Sequence, residues 1–274
     1  MRMLAAHEAI ILMIMLISLL CLNNAGEQAP NAFEDSYMLS LILAESSIEK
    51  IPPQLTRHPS VITQARRKNR EPSSLILDRS FHHSAMKAAQ TWDPSEKFLK
   101  RGRPDIVFHV LLQVLGSPLN LEGLLRTYVH TIDDKVIDID PRTRIPRNYD
   151  RFIGLLEQLY VENSVPPGEQ SLLRIRKCSL PMLIDELGTS TVVAFSTLGK
   201  TVSVKDACSL MTKEHAPAVL IGGFAHSHFS QSTLQLANHI FSIDKDPLDA
   251  WVVAARIIYE YECGINLSER RVKN

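Results

Sequence analysis

The sequence predicts an α/β fold: a mostly parallel sheet with helices on both faces, carrying a basic insertion around residues 117–150. Three observations lead there. From residue 171 onward, apolar runs of strand length at Leu172–Ile175, Thr191–Phe195, Ala218–Gly222 and His239–Ile243 alternate with helical patterns at Leu180–Leu187, Val204–Lys213 and Leu248–Glu262. Such alternation lays helices over a parallel sheet. Near the start, Met38–Ala44 (MLSLILA) is apolar almost throughout, as a strand covered on both faces should be. Finally, a chain of 274 residues, 45% of them hydrophobic, can bury the core of one large domain or two small ones. We read a single domain over residues 38–274.

The elements follow in order. Ala9–Leu22 (AIILMIMLISLLCL) has no charge. It is too short to span a bilayer comfortably but matches the hydrophobic region of a signal peptide. Residues 1–37 therefore stand as a leader, read as an over-extended start upstream of Met38, a signal or anchor segment, or a genuine extension. After the first strand, Pro52-Pro53 is a stop, and the polar, basic stretch 57–73 is expected on the surface. Leu75–Leu77 is a short strand candidate and Phe81–Thr91 a short helix. Pro104 suits the first position of a helix running through Ile106–Leu115 and ending at Gly116. Leu125–Thr131 and Lys135–Asp140 read as strands around Asp133-Asp134, a hairpin signal. The loop PRTRIPRNYDR (141–151) precedes an amphipathic helix marked by Phe152, Leu155, Leu156, Leu159 and Tyr160.

Composition excludes disorder, collagen and a multi-span membrane protein. Cys21, Cys178, Cys208 and Cys263 are too scattered for a metal knuckle or a disulfide framework. The 30 basic and 30 acidic side chains cancel, which at first sight argues against a nucleic-acid partner. The cancellation is an average, however. Residues 57–103 hold eleven basic and four acidic side chains, whereas 152–274 hold eleven and thirteen.

Three constellations could carry chemistry. Arg142, Arg144, Arg147 and Arg151 sit in one proline-punctuated loop, and guanidinium forks suit phosphate oxygens. A solvated loop tied to Asp138 and Asp140 is the plain alternative; Arg66, Arg67, Lys68 and Arg70 tip the balance toward a polyanion. In Arg101-Gly102-Arg103-Pro104-Asp105, the carboxylate falls in a helix's first turn and could pin Arg103, as a simple cap or as a preorganised donor. Ile221-Gly222-Gly223-Phe224-Ala225-His226-Ser227-His228 follows a strand, where glycines let a ligand approach the backbone. It is not a dinucleotide fingerprint. The histidines there and at His239 lack metal-ligand spacing, so no metal is expected; His82-His83 reads as structural or as a phosphate contact.

Taken together, LILAESSIEKIP (41–52), LDRSFHH (77–83), KRGRPDIV (100–107), LGSPLNLEGLLRTYVHT (115–131), PRTRIPRNYDRFIGLLEQL (141–159), IGGFAH (221–226) and PLDAWVVAARIIYEYE (247–262) resemble the nucleolar essential protein family. These are ribosome biogenesis methyltransferases of the SPOUT superfamily, and the chain is most similar to the compact archaeal members. The resemblance implies a SPOUT-type trefoil-knotted α/β fold, a homodimer, S-adenosylmethionine as cofactor, and methylation of N1 of a pseudouridine in small-subunit ribosomal RNA. It also implies a cytoplasmic protein with no membrane association. By the same resemblance Arg103, Arg144, Arg147 and Arg151 would contact RNA. Asp105 would orient Arg103, the role favoured over that of a catalytic base, for which it is a candidate and which the resemblance leaves unassigned. Gly222, Gly223, Ser227, Ile240, Phe241, Ser242, Ile243, Asp244, Lys245 and Leu248 would hold the cofactor. The chain departs from the family at Ser227, where Gly is usual, and at Ala225, where Pro is common. The alternatives are a non-catalytic rRNA-binding assembly factor and, from residues 9–22 alone, an exported or lipid-attached protein.

Overall fold

The computed structural model describes residues 37–90 and 96–273. The chain divides into units 1–33 and 34–274, and every described residue belongs to the second. The leader up to residue 36 and the expected helix end at Thr91 lie outside the described residues.

In chain order, the elements begin with β1 (Leu39–Ser46), α1 (Pro59–Lys68), α2 (Arg79–Gln90), α3 (Glu96–Leu99), α4 (Pro104–Val114) and α5 (Pro118–Leu121). Next come β2 (Leu125–Thr131), β3 (Lys135–Ile139), α6 (Tyr149–Glu162), β4 (Ser164–Val165), β5 (Leu173–Lys177) and α7 (Leu180–Leu187). The remainder is β6 (Val192–Thr201), α8 (Val204–Met211), β7 (Ala218–Gly222), α9 (Gln231–Leu234), β8 (His239–Ser242), α10 (Ala250–Gly264) and α11 (Leu267–Lys273).

The strands form one eight-stranded sheet in the order β4-β5-β3-β2-β1-β7-β6-β8. From β2 through β8 every pairing is parallel, while β3, β5 and β4 continue the sheet antiparallel. The sheet is mostly parallel, as expected, but Leu172–Ile175 has become the antiparallel β5. The 117–150 stretch is likewise continuous with the sheet, because β2 lies directly beside the central β1, with Leu39 opposite Leu125.

β1 explains the layering. All its residues are buried, and alternate side chains feed opposite faces. Leu39, Leu41 and Leu43 join the core under α4, α6, α8 and α10, whereas Ile42 and Ala44 join the core under α7. A third cluster packs α1 and α2 against Ile51, Leu55, Leu75 and Leu77.

Several segments depart from the sequence reading, each for a local reason. The expected surface stretch 57–73 contains α1. His58 caps it by accepting from Ser60 N–H, Pro59 begins it, and Val61, Gln64 and Ala65 are buried on one face. Leu75–Leu77 is buried but makes only an isolated bridge, Lys50 to Ile76, because no further strand lies alongside. α2 starts at Arg79, two residues early, and bends at His82. β6 runs on to Thr201, re-pairing with β8 after an irregularity. Gly199 permits that approach, since a Cβ there would lie 2.6 Å from the Ile240 carbonyl.

Burial leaves two histidines sensitive to acid. His82 accepts from Asp78 N–H at 3.1 Å and is 1% exposed; His130 accepts from Glu45 N–H at 3.3 Å and is 5% exposed. Burial lowers the pKa of both. Below about pH 6.5 the unfolded chain binds protons that the folded one refuses, so acidification favours unfolding. Stability should therefore be full above that pH and decline below it, by at most about 1.4 kcal/mol per pH unit for each histidine. Urea denaturation at about pH 7.5 and about pH 5.5 measures the decline, and His82→Gln should reduce it. An unchanged decline would mean that His82 does not drive it.

Candidate functional site

The middle of β6 and the C-terminal end of β7 open into a cavity of about 380 Å³. In open parallel sheets ligands settle at such strand ends. One wall is Phe195, Ser196 and Thr197 of β6; another is the loop after β7, from Gly222 through Phe229; Pro247, Leu248, Ala250 and Val253 close the third side. An adjoining cleft of about 80 Å³ lies between Phe195–Thr197 and the 241–246 segment, including Phe241, Ser242, Ile243 and Asp244. Arg256 Nη1 sits 3.6 Å from Asp244.

The glycines are placed by close approach. Gly223 donates its N–H to Ala44 O at 3.0 Å, and its carbonyl accepts from Ser47 N–H at 2.9 Å. A Cβ on Gly223 would lie 2.8 Å from Ser46 Cα, so only glycine fits against the end of β1. At Gly222 a Cβ would meet the Phe224 ring at 3.0 Å. Ser227 holds φ 76°, a left-handed conformation that suits glycine and strains serine.

Of the ten expected cofactor residues, Gly222, Ser227 and Leu248 line the main cavity, while Phe241, Ser242, Ile243 and Asp244 line the cleft beside it. Gly223 lies behind the loop as a packing glycine. Ile240 packs into the core under α7, and the Lys245 side chain is 87% exposed, so neither lines these two spaces. Sequence reasoning passed over Phe195–Thr197 and the first turn of α10. The available signal was a polar pair, Ser196-Thr197, directly after a buried apolar strand.

Arg103 lies within reach of the cavity, and a basic face is built around it and the arginine loop. Arg103 directly precedes α4, and its Nε and Nη2 both donate to Asp105 at 2.8 Å. That pairing is what holds the guanidinium pKa above its usual value. Tyr149 fixes the start of α6 alongside: its ring stands 5.5 Å from Phe108 and its hydroxyl donates to the Asp78 carboxylate. Burial, with the Asp78 charge second, pushes the Tyr149 hydroxyl pKa up, keeping it a donor. The link to the cavity runs through α4 and α10, where His109 and Trp251 pack at 5.1 Å, and through Lys100, which lies 4.6 Å over the Phe224 ring.

The arginine loop divides in two. Arg142 is tied to Asp140 by two bonds at 2.9 and 2.8 Å, while Asp138 is taken by Arg176. Arg144, Arg147 and Arg151 are exposed and have no acidic partner among the described residues. Buried Thr143 and Ile145 anchor the loop between them. The second basic cluster is partly consumed: Lys68 and Arg70 both face the buried Glu157, leaving Arg66 and Arg67 exposed. His82 is structural, as its burial and its bond to Asp78 N–H show. Among the described residues no group of three His, Cys, Asp or Glu could hold a metal, and no helix is long and apolar enough to cross a membrane.

Residues 41–262 match the EMG1/NEP1 methyltransferase family. The chain belongs to that family. It is 39% identical over 230 residues to the ribosomal RNA small subunit methyltransferase Nep1 of Thermococcus kodakarensis, covering 84% of this chain and all of that one. Nep1 of Methanothrix thermoacetophila is 40% identical over 226 residues, 82% of this chain and 96% of its own. Among solved structures, Archaeoglobus fulgidus Nep1 bound to S-adenosylhomocysteine is similar with a TM-score of 0.72 at 32% identity, covering 83% of this chain and 98% of that chain. The EMG1/NEP1 match spans every segment that builds the cavity and the basic face.

Two substitutions test the loop. Ser227→Gly removes the left-handed strain and should stabilise the protein by about 1 kcal/mol, raising Tm by roughly 2–4 °C. Gly223→Ala should do the reverse by about 1–3 kcal/mol, since backbone must move to admit the methyl group. Thermal unfolding of both variants checks this, and equal Tm values would contradict the assigned backbone geometry.

Proposed function

We propose that this chain transfers a methyl group from S-adenosylmethionine to N1 of a pseudouridine in small-subunit ribosomal RNA, working as a homodimer. The observation that carries the reading is the glycine-loop cavity, with Lys100 packed over its Phe224 wall and, three residues on, the Arg103 guanidinium held by Asp105. A cavity of about 380 Å³ falls in the range of small-molecule sites. Its apolar walls suit an adenine ring, and its exposed loop backbone suits polar recognition. Gly222, Ser227 and Leu248 would hold the cofactor, with Phe195–Thr197 and the 241–244 segment around it. S-adenosylmethionine supplies, when bound, a sulfonium-activated methyl group.

The protein's task is then alignment. Pseudouridine is joined to ribose through carbon, so its N1–H is free, whereas N1 of uridine is closed by the glycosidic bond. The substrate's own chemistry supplies part of the specificity, and positioning supplies much of the rate. Arg103, Arg144, Arg147 and Arg151 hold the RNA backbone. Both Asp105 oxygens are engaged by Arg103, so Asp105 positions that guanidinium and does not take the N1 proton. Arg151 lies in the first turn of α6, the end of a helix where a cation is least welcome. Its placement there costs stability and fits a ligand-binding duty.

Labelled S-adenosylmethionine should methylate a pseudouridine-containing hairpin and leave its uridine counterpart unlabelled; equal labelling of both would overturn the specificity. RNA binding without methyl transfer or cofactor binding would favour an assembly factor instead. Arg144→Ala or Arg147→Ala should each weaken RNA binding and reduce the salt dependence by about one ion. Asp105→Asn should weaken RNA binding while cofactor affinity holds. Titrations at several salt concentrations read all three variants.

A further inference from the structure

A second cavity, of about 370 Å³, opens at the ends of β1 and β2, beside the cofactor loop. Its construction is unusual for a surface hollow. The register between β1 and β2 breaks after Leu43, and Glu45 adopts φ 53°. Such an irregularity re-aims a side chain. The buried Glu45 carboxylate pairs with Lys100 and accepts from Ser230 N–H at 2.9 Å and Ser230 Oγ at 2.7 Å. His130 accepts Glu45 N–H at Nδ1, so Nε2 carries the ring proton, 3.3 Å from Asp134 Oδ1. Hydroxyls of Ser232 and Thr233 lie on one side, and Leu180, Pro181 and Leu236 supply apolar surface.

Charge decides the ligand class. Two carboxylates face one ammonium, already paired, so an anion such as a phosphate is disfavoured. Apolar surface with a few convergent donors and acceptors suits a neutral, planar, polar heterocycle. The chain itself indicates the source. Lys100 lines this cavity, and Arg103, three residues on, stands on the basic face; three residues span at most about 11 Å. RNA held by Arg103 thus passes the cavity mouth. Enzymes acting on RNA commonly take bases out of the stack and read their edges in such pockets.

We propose that this cavity receives an unpaired nucleobase of the bound RNA, resting on Leu180 and Leu236 and read by Glu45, His130 and Asp134. The inference rests on the RNA-methylating reading. It also gives the 222–236 segment two duties: its first half lines the cofactor cavity, and Ser230 onward lines the base cavity.

The test uses the full chain with S-adenosylhomocysteine and pseudouridine hairpins carrying 4-thiouridine at each unpaired position in turn. At least one position should photocrosslink to residues 128–136 or 230–236. Replacing that nucleotide by an abasic one should weaken binding to the wild type about tenfold, the scale of one lost base contact. Ser232→Trp, at an exposed rim position, should abolish both the crosslink and the abasic penalty while Tm is unchanged. Asp134→Asn keeps the left-handed backbone that Asn tolerates and should weaken binding of the intact hairpin alone. Crosslinks confined to residues 141–151, or an abasic penalty equal in wild type and variants, would overturn the proposal. Methyl transfer to the unmodified hairpin is read separately: its absence with the crosslink intact would sink the catalytic reading and leave the base cavity standing.

Discussion

Everything at the working edge of this protein depends on how the loop after β7 is clamped to the end of β1. Gly223 makes two backbone hydrogen bonds to that end, one through Ala44 and one through Ser47, with the Ser46 side chain against its Cα. Neither partner can move alone. The clamp places Gly222 and Ser227 in the wall of the cavity at the end of β7 on one side. On the other, the carboxylate of Glu45, in the same turn, holds Ser230 as the loop leaves. A loop otherwise free to wander is thereby fixed at both ends to the most buried strand of the sheet. Preorganisation of this kind spares a ligand the entropy of ordering its own site.

The clamp carries local strain. Glu45 and Ser227 both occupy positive φ without being glycine, a cost of order 1–3 kcal/mol each. Neither turn is forced by the sheet, whose β1–β7 pairing runs without interruption from Ser40 to Ala44. Strain that persists at the end of a strand is characteristic of functional positions. At Ser227 it also gives physical content to the departure from the family pattern, because the backbone has the conformation that glycine would adopt freely.

Much of the scaffold was legible in the sequence because burial writes itself as continuous apolar runs. β1, β7 and α4 were marked in this way, whereas α6 and α10 showed as apolar residues at helical spacing and β2 through the Asp133-Asp134 hairpin signal. The Arg103–Asp105 pair was legible too, since a carboxylate in a helix's first turn has few other places to put its charge. What escaped was structure built from few apolar residues. α1 rests on Val61, Gln64 and Ala65 among arginines, and the extension of β6 depends on Gly199 lying against Ile240. Those are tertiary facts, invisible to periodicity. The walls at Phe195–Thr197 and Ser230–Thr233 escaped for the same reason: small polar residues look alike in a sequence whether they face water or line a cavity.

The arginines show why residue counting alone misleads. Arg142, Arg176, Lys68 and Arg70 have acidic neighbours within salt-bridge distance, so their charge is largely spent inside the protein. Arg144, Arg147 and Arg151 make no such pairs among the described residues. They stand on a loop pinned by Thr143 and Ile145 and by the cap at Asn148, whose side chain accepts from Arg151 N–H at 3.1 Å. A flexible loop would let such charges find carboxylates; a pinned one keeps them apart and solvated. The field of the protein is therefore set less by its overall neutrality than by which charges the fold prevents from pairing.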